Sequence, residues 1–144
     1  MEDKIVDTSR ILVCGDRDWK ARSLIRRYLA YMKVDVVIEG ECRGADRLGM
    51  YVAKELGIKV LPFSADWNKY GRAAGPIRNQ QMLDEGKPTL VLAFHDDIQS
   101  SKGTKDMIRR ANKSTIIRPV GIPVWLISGT DERGGCVHNF ILEV

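Results

Sequence analysis

The chain has 144 residues, 44% of them hydrophobic and 29% charged, with a net charge of +4. That is enough for one domain around a single core, and no apolar run is long enough to span a bilayer. Residues 1–10 are polar and acidic, unlike a signal peptide, so a cytoplasmic protein is expected; the mild positive charge suits an anionic ligand.

Residues 10–14 (R-I-L-V-C) form a compact apolar run that stops at Gly15 and read as a buried strand. Residues 20–33 place Leu24, Ile25, Tyr28, Leu29 and Met32 at helical spacing. A second strand over 34–38 ends near Gly40. A helix over 45–56 follows, with Leu48, Val52 and Leu56 on one face and Gly57 as its stop. Residues 58–63 read as a third strand, and 64–75 as a long polar loop. A helix over 76–85 has Pro76 in its first turn and Gly86 at its end. A fourth strand over 89–94, a helix over 104–112 and a fifth strand over 122–127 complete the pattern. Residues 137–144 could add a short edge strand.

Continuous apolar strands alternating with helices imply a mostly parallel sheet covered on both faces. The expected fold is α/β, a single Rossmann-like three-layer sandwich with about five strands. Residues 1–9 are expected to be an N-terminal tail, 10–128 the domain and 129–144 a C-terminal tail. The three cysteines, Cys14, Cys42 and Cys136, are odd in number and lack a C-x-x-C spacing. A disulfide framework and a zinc site are therefore not expected, nor is any other metal or cofactor.

In such a fold the ligand loops lie outside the carboxyl ends of the strands. Gly15-Asp16-Arg17-Asp18-Trp19 follows the first strand: Gly15 turns the backbone, Arg17 can reach a phosphate, and Trp19 either stacks on a base or seals the core. The stretch from Gly40 to Asp46, with Arg43 and Gly44, leads into a helix whose free N–H groups favour an anion. There Asp46 reads as a site carboxylate or as a stabilising helix-start charge. The segment from Asp66 and Trp67 through Gly75 to Arg78 and Asn79 is the richest in Gly, Arg and aromatic residues. Arg78 can fork onto a phosphate or carboxylate; the plainer alternative is a loop covering the core. His95-Asp96-Asp97 reads as a solvated acidic loop. Gly103 and Thr104 suit close backbone approach and a helix cap. Arg22, Arg26, Arg27, Arg109, Arg110 and Lys113 look like solvated helix faces.

The motifs G-D-R-D-W, E-G-E-C-R-G-A-D, F-S-A-D-W-x-x-Y-G-R-A-A-G-P-I-R-N-Q-Q-M and L-A-F-x-x-x-x-x-S-K-G-T-K-D-M resemble the YspA/YpsA-related branch of the SLOG superfamily. That superfamily unites the DNA-processing protein DprA with the LOG phosphoribohydrolases. The resemblance spans residues 10–127 and implies a Rossmann-like fold that binds a nucleotide or a nucleotide-derived ligand. The hydrolase members carry P-G-G-x-G-T-x-x-E and R-K-x-x-M motifs. Here Asn79 replaces the Lys of the second; Gly103 and Thr104 survive from the first, while Met107 stands at its catalytic Glu position. Asp106 is one position early, a turn of about 100° on a helix. Residues 112–121 are longer than the turn typical of the branch.

The leading reading is a sensor, carrier or sequestering module for a nucleotide-derived small molecule such as an ADP-ribose-like or nucleoside phosphate ligand. Gly15, Arg17, Gly40, Arg43, Gly44, Asp46, Asp66, Trp67, Gly75, Arg78, Asn79, Gly103 and Thr104 are its candidate contacts, with Trp19 or Trp67 under the base. The alternative is an N-glycosidic-bond hydrolase using Asp46, Asp66 or Asp106. Single-stranded DNA binding is third, since the basic residues are scattered over several helices. A homodimer or higher homo-oligomer and a bacterial or phage setting are expected.

Overall fold

The computed structural model describes residues 6–129 and 135–142. In chain order the elements are β1 (Arg10–Gly15), α1 (Arg22–Tyr31), β2 (Val36–Glu39), α2 (Ala45–Glu55), β3 (Lys59–Pro62), α3 (Trp67–Tyr70), α4 (Ala74–Gly86), β4 (Leu90–Phe94), α5 (Gly103–Lys113), β5 (Val124–Ser128) and β6 (Gly135–Val137). They build one six-stranded sheet in the order β3-β2-β1-β4-β5-β6. Every neighbouring pair is parallel except β5 with β6.

Two-residue alternation sorts each strand between the two faces. Ile11 and Val13 join Trp19, Ile25, Leu29 and Val52, so α1 and α2 cover one face. Leu12 and Cys14 join Met82, Leu83, Met107 and Ile108, so α4 and α5 cover the other. Both faces of β1, β2 and β4 are thus buried, which is why these strands read as unbroken apolar runs. A fully buried Leu or Ile contributes roughly 1.5–3 kcal/mol, and these central strands supply most of the core. Thr89 and Arg10 tie β4 to β1 at the amino ends, with the Thr89 N–H donating to the Arg10 carbonyl at 2.8 Å.

Several boundaries differ from the sequence reading. The sheet has six strands, the five expected and the possible edge strand. The edge strand lies at Gly135–Val137, at the start of the tail segment rather than within it. Residues 1–5, 130–134 and 143–144 of the two expected tails lie outside the described residues. Residues 138–142 instead lie back along the sheet. Asn112 accepts from the Leu142 N–H at 3.0 Å and donates to the Phe140 carbonyl at 3.1 Å. The loop expected over 64–75 is largely helical: Asp66 caps α3 by accepting from the Lys69 N–H at 3.1 Å, and a 3-10 turn at Gly71–Ala73 runs straight into α4. Ala73 and Ala74 favour helix, so α4 starts two residues before Pro76, which remains in the first turn. β2 begins at Val36 and reaches Glu39, because Asp35 and Val36 both donate to the Ser9 carbonyl. Among the described residues no helix is long and apolar enough to cross a membrane.

Candidate functional site

The strand order reverses between β1 and β4, and there the crossovers to α1 and α5 leave a crevice outside the carboxyl ends. A cleft of about 630 Å³ occupies it, lined by Gly15, Arg17, Asp46, Arg78 and Asn79 and by the β4–α5 connection. A second cleft of about 690 Å³ lies alongside, over the β2 and β3 ends, lined by Gly40, Arg47, Ser64 and Trp67 among others.

The wall between the clefts is built on Gly40. Its N–H donates to Asp46 Oδ2 at 3.1 Å, and its carbonyl accepts from Arg78 Nη1 at 2.6 Å. A Cβ at this position would sit 2.8 Å from Arg78 Nη1 and 2.9 Å from Asp46 Oδ2. Only glycine lets the guanidinium and the carboxylate close over the backbone. Gly44 does the same for the adjacent turn: with φ at +81°, a Cβ there would lie 2.3 Å from the Asp16 carbonyl. The β1 loop is thereby packed onto the start of α2, and the Ala45 N–H is spent on Asp16 at 3.1 Å.

Asp46 is 6% exposed and also accepts from the Cys42 N–H. Burial pushes its carboxyl up to about 6, although Arg78 and the two backbone donors pull the other way. Arg78 continues into Asn79, whose Oδ1 accepts from Arg78 Nε at 3.2 Å. Asn79 Nδ2 donates to the Gly103 carbonyl at 3.3 Å and to Asp106 at 2.9 Å. Asp106 also accepts from Arg110 Nε at 2.9 Å. One relay therefore runs from the cleft wall through α4 to the first turn of α5.

Gly15, Arg17, Arg43, Asp46, Arg78, Asn79, Gly103 and Thr104 are brought together around the first cleft; Gly40 and Trp67 line the second. The others stand elsewhere. Trp19 is 3% exposed, packed on Phe94 with its indole N–H given to the Ala21 carbonyl at 3.1 Å; it seals the core and cannot stack on a base. Gly44 is behind the wall, and Gly75 packs against Trp67. Asp66 is spent as the cap of α3 and lines neither cleft. Asp106 faces α4 and Arg110, while Met107 fills the cleft position. The expected Thr104 cap is replaced by Ser101, whose hydroxyl accepts from the Thr104 N–H at 3.0 Å.

His95 corrects another expectation. It is buried, not solvated, and lines the first cleft with Asp96 and Asp97; its Nδ1 accepts from the Asp97 N–H at 2.9 Å. Of the basic helix faces, Arg22 and Arg26 pair with Glu55 and Arg110 pairs with Asp106.

Glu39 opens the E-G-E-C-R-G-A-D motif, but the sequence assigns it no role. It is fully buried, Oε1 accepts from the Glu41 N–H at 2.9 Å, and Oε2 has no hydrogen-bond partner among the described residues. Loss of water pushes it up to about 7, with Asp46 and Glu41 adding to the rise. An apolar strand ending in a carboxylate just before a glycine was the available signal.

A family model described as the YspA, cpYpsA-related SLOG family matches residues 9–70. Gene 61 protein of Mycobacterium phage D29 is 34% identical over 125 residues, covering 80% of this chain and 93% of that protein. No solved structure matches.

Proposed function

Because the chain belongs to the YspA, cpYpsA-related SLOG family, we propose that its switch-point cleft binds a nucleotide or nucleotide-derived small molecule and that the protein acts as a sensor, carrier or sequestering module. The observation that carries this reading is the convergence of Arg17, Arg78 and the first turn of α5 on one cleft at the β1 and β4 ends. Arginine forks match phosphate oxygens, and the helix start adds backbone donors and a positive dipole end. Asp46 and Asp97 on the same lining are acceptors for sugar hydroxyls.

The test is a thermal-shift panel of nucleoside monophosphates, ADP-ribose, NAD-related compounds and cyclic dinucleotides, run on the native protein and on Arg17→Ala. A ligand at 100 times its dissociation constant adds about 2.7 kcal/mol to the native state. At least one compound shifts the native protein and shifts the variant less. A panel without a single shift would sink the reading.

Hydrolysis of an N-glycosidic bond is a second reading, favoured by Asp46. A carboxyl that burial pushes up to about 6 is placed to give or take a proton near neutrality. Released base in an incubation with the bound compound, lost in Asp46→Asn, supports it; an intact compound removes it.

A further inference from the structure

The two clefts are not independent. Arg17, Arg43 and Arg78 belong to both linings, and Cys42 with them. Three arginines therefore line the junction of two chambers of similar size, about 630 and 690 Å³: Arg17 and Arg43 are exposed, Arg43 lying 3.4 Å from Asp18, while Arg78 is held in the wall by the Gly40 carbonyl and Asn79. The chambers differ in chemistry. The first adds five carboxylates, from Asp16, Asp18, Asp46, Asp96 and Asp97. The second adds Arg47 and Trp67, and its one carboxylate, Glu41, is engaged by the Ser64 hydroxyl.

We propose that both chambers receive a single ligand: a flat aromatic group against Trp67, a diphosphate bridge at the arginine waist, and a hydroxyl-rich group in the first chamber. This rests on the nucleotide-binding reading above and specifies the ligand class. Trp67 is 50% exposed, and its inner edge meets Gly75, where a Cβ would lie 3.4 Å from Cη2. The indole thus lies close to Gly75 and leaves about half of the residue open to solvent, surface that a stacking platform requires. Arginines at the waist match two adjacent phosphates better than one, because the exposed Arg17 and Arg43 can each fork onto a separate phosphate while the wall-bound Arg78 adds fixed positive charge between them. Carboxylates accept from hydroxyls, and Asp16, Asp46 and Asp96, which accept backbone N–H groups, keep further acceptor capacity, which assigns the sugar end to the first chamber.

Calorimetric titration with three probes tests this: ADP-ribose, AMP and ribose 5-phosphate. ADP-ribose binds at least tenfold tighter than either half. Trp67→Ala weakens ADP-ribose and AMP at least tenfold and leaves ribose 5-phosphate within twofold, and Trp67→Phe restores most of the loss. An exposed side chain is replaced, so equal melting temperatures of the variants and the native protein verify the fold. The inference is overturned if Trp67→Ala leaves ADP-ribose affinity unchanged, if ADP-ribose binds no tighter than AMP, or if all three probes are silent. In the last case the broader reading survives when another nucleotide in the thermal-shift panel binds, and falls with it when none does.

Discussion

Asn79 and Asp106 are held together by a 2.9 Å hydrogen bond from the Asn79 amide to the Asp106 carboxylate, which turns Asp106 toward α4 and away from the cleft. The carboxylate nearest in sequence to the hydrolase position is thus a positioning group. It holds Asn79, Asn79 holds Arg78, and Arg78 covers Gly40.

Replacing Asp106 with Ala takes one acceptor from the Asn79 amide, which keeps the Gly103 carbonyl, and one from Arg110, which keeps Gln80. The expected cost is about 1–3 kcal/mol in urea unfolding, with ligand affinity reduced only modestly. Stability equal to the native protein together with complete loss of binding would instead make Asp106 a direct ligand contact.

Gly40→Ala drives a methyl group against Arg78 Nη1 and Asp46 Oδ2. Overpacking of this kind costs roughly 1–3 kcal/mol. Because the displaced groups are the cleft wall, nucleotide affinity falls along with stability. A variant that melts normally and binds normally would refute the close-packed wall.

Glu39 makes stability depend on pH. Its folded value, about 7, lies above the ordinary 4.5, so the native state binds the extra proton between these limits. The contribution of this group to stability is therefore fully present below about 4.5 and is lost as the pH rises through 7, by about 3 kcal/mol. Asp46, raised from 3.8 to about 6, adds a fall in the lower part of the same window. Glu39→Gln removes its share: denaturant unfolding at pH 5 and pH 8 shows a smaller difference, and the variant is the more stable protein at pH 8.

Trp19→Ala opens a cavity beside Phe94 and costs about 3–5 kcal/mol, whereas Trp67→Ala changes unfolding free energy by about 0.5 kcal/mol or less. Paired denaturation curves separate the two tryptophans; equal effects would contradict their assigned surroundings.

How far the sequence could be read follows from which residues answer to local rules. Residues 11–14 and 90–94 are apolar without interruption, as burial on both sheet faces requires. Gly15, Arg17, Arg78 and Gly103 were legible because they follow strand ends or open helices, where the fold puts its crevice. Trp19 and Asp66 were misplaced because both sit in ligand-like loops, and only tertiary packing reveals that one indole points inward and one carboxylate caps its own helix. His95 was read as solvated from its acidic neighbours, yet those residues face the same cleft. Glu39 carries no local sign of its burial, since a strand-end charge normally faces water. β6 lacks any strong periodicity over its three residues and owes its existence to the open side of β5.

The adjacency of β1 and β4 has a kinetic consequence. Arg10 and Thr89, which join these strands, are 79 residues apart in the chain. The floor of the cleft cannot exist until that long excursion has closed, and the entropy of closing it makes the β1–β4 pairing a late, slow event. The intervening β2–β3 half can collapse first, but it carries only one side of the pocket. Refolding followed by far-ultraviolet dichroism should therefore run ahead of refolding followed by ligand capture. A bound molecule spanning Gly15 and His95 would hold the two halves of the sheet shut against sub-global opening, slowing amide exchange in β1 and β4 together.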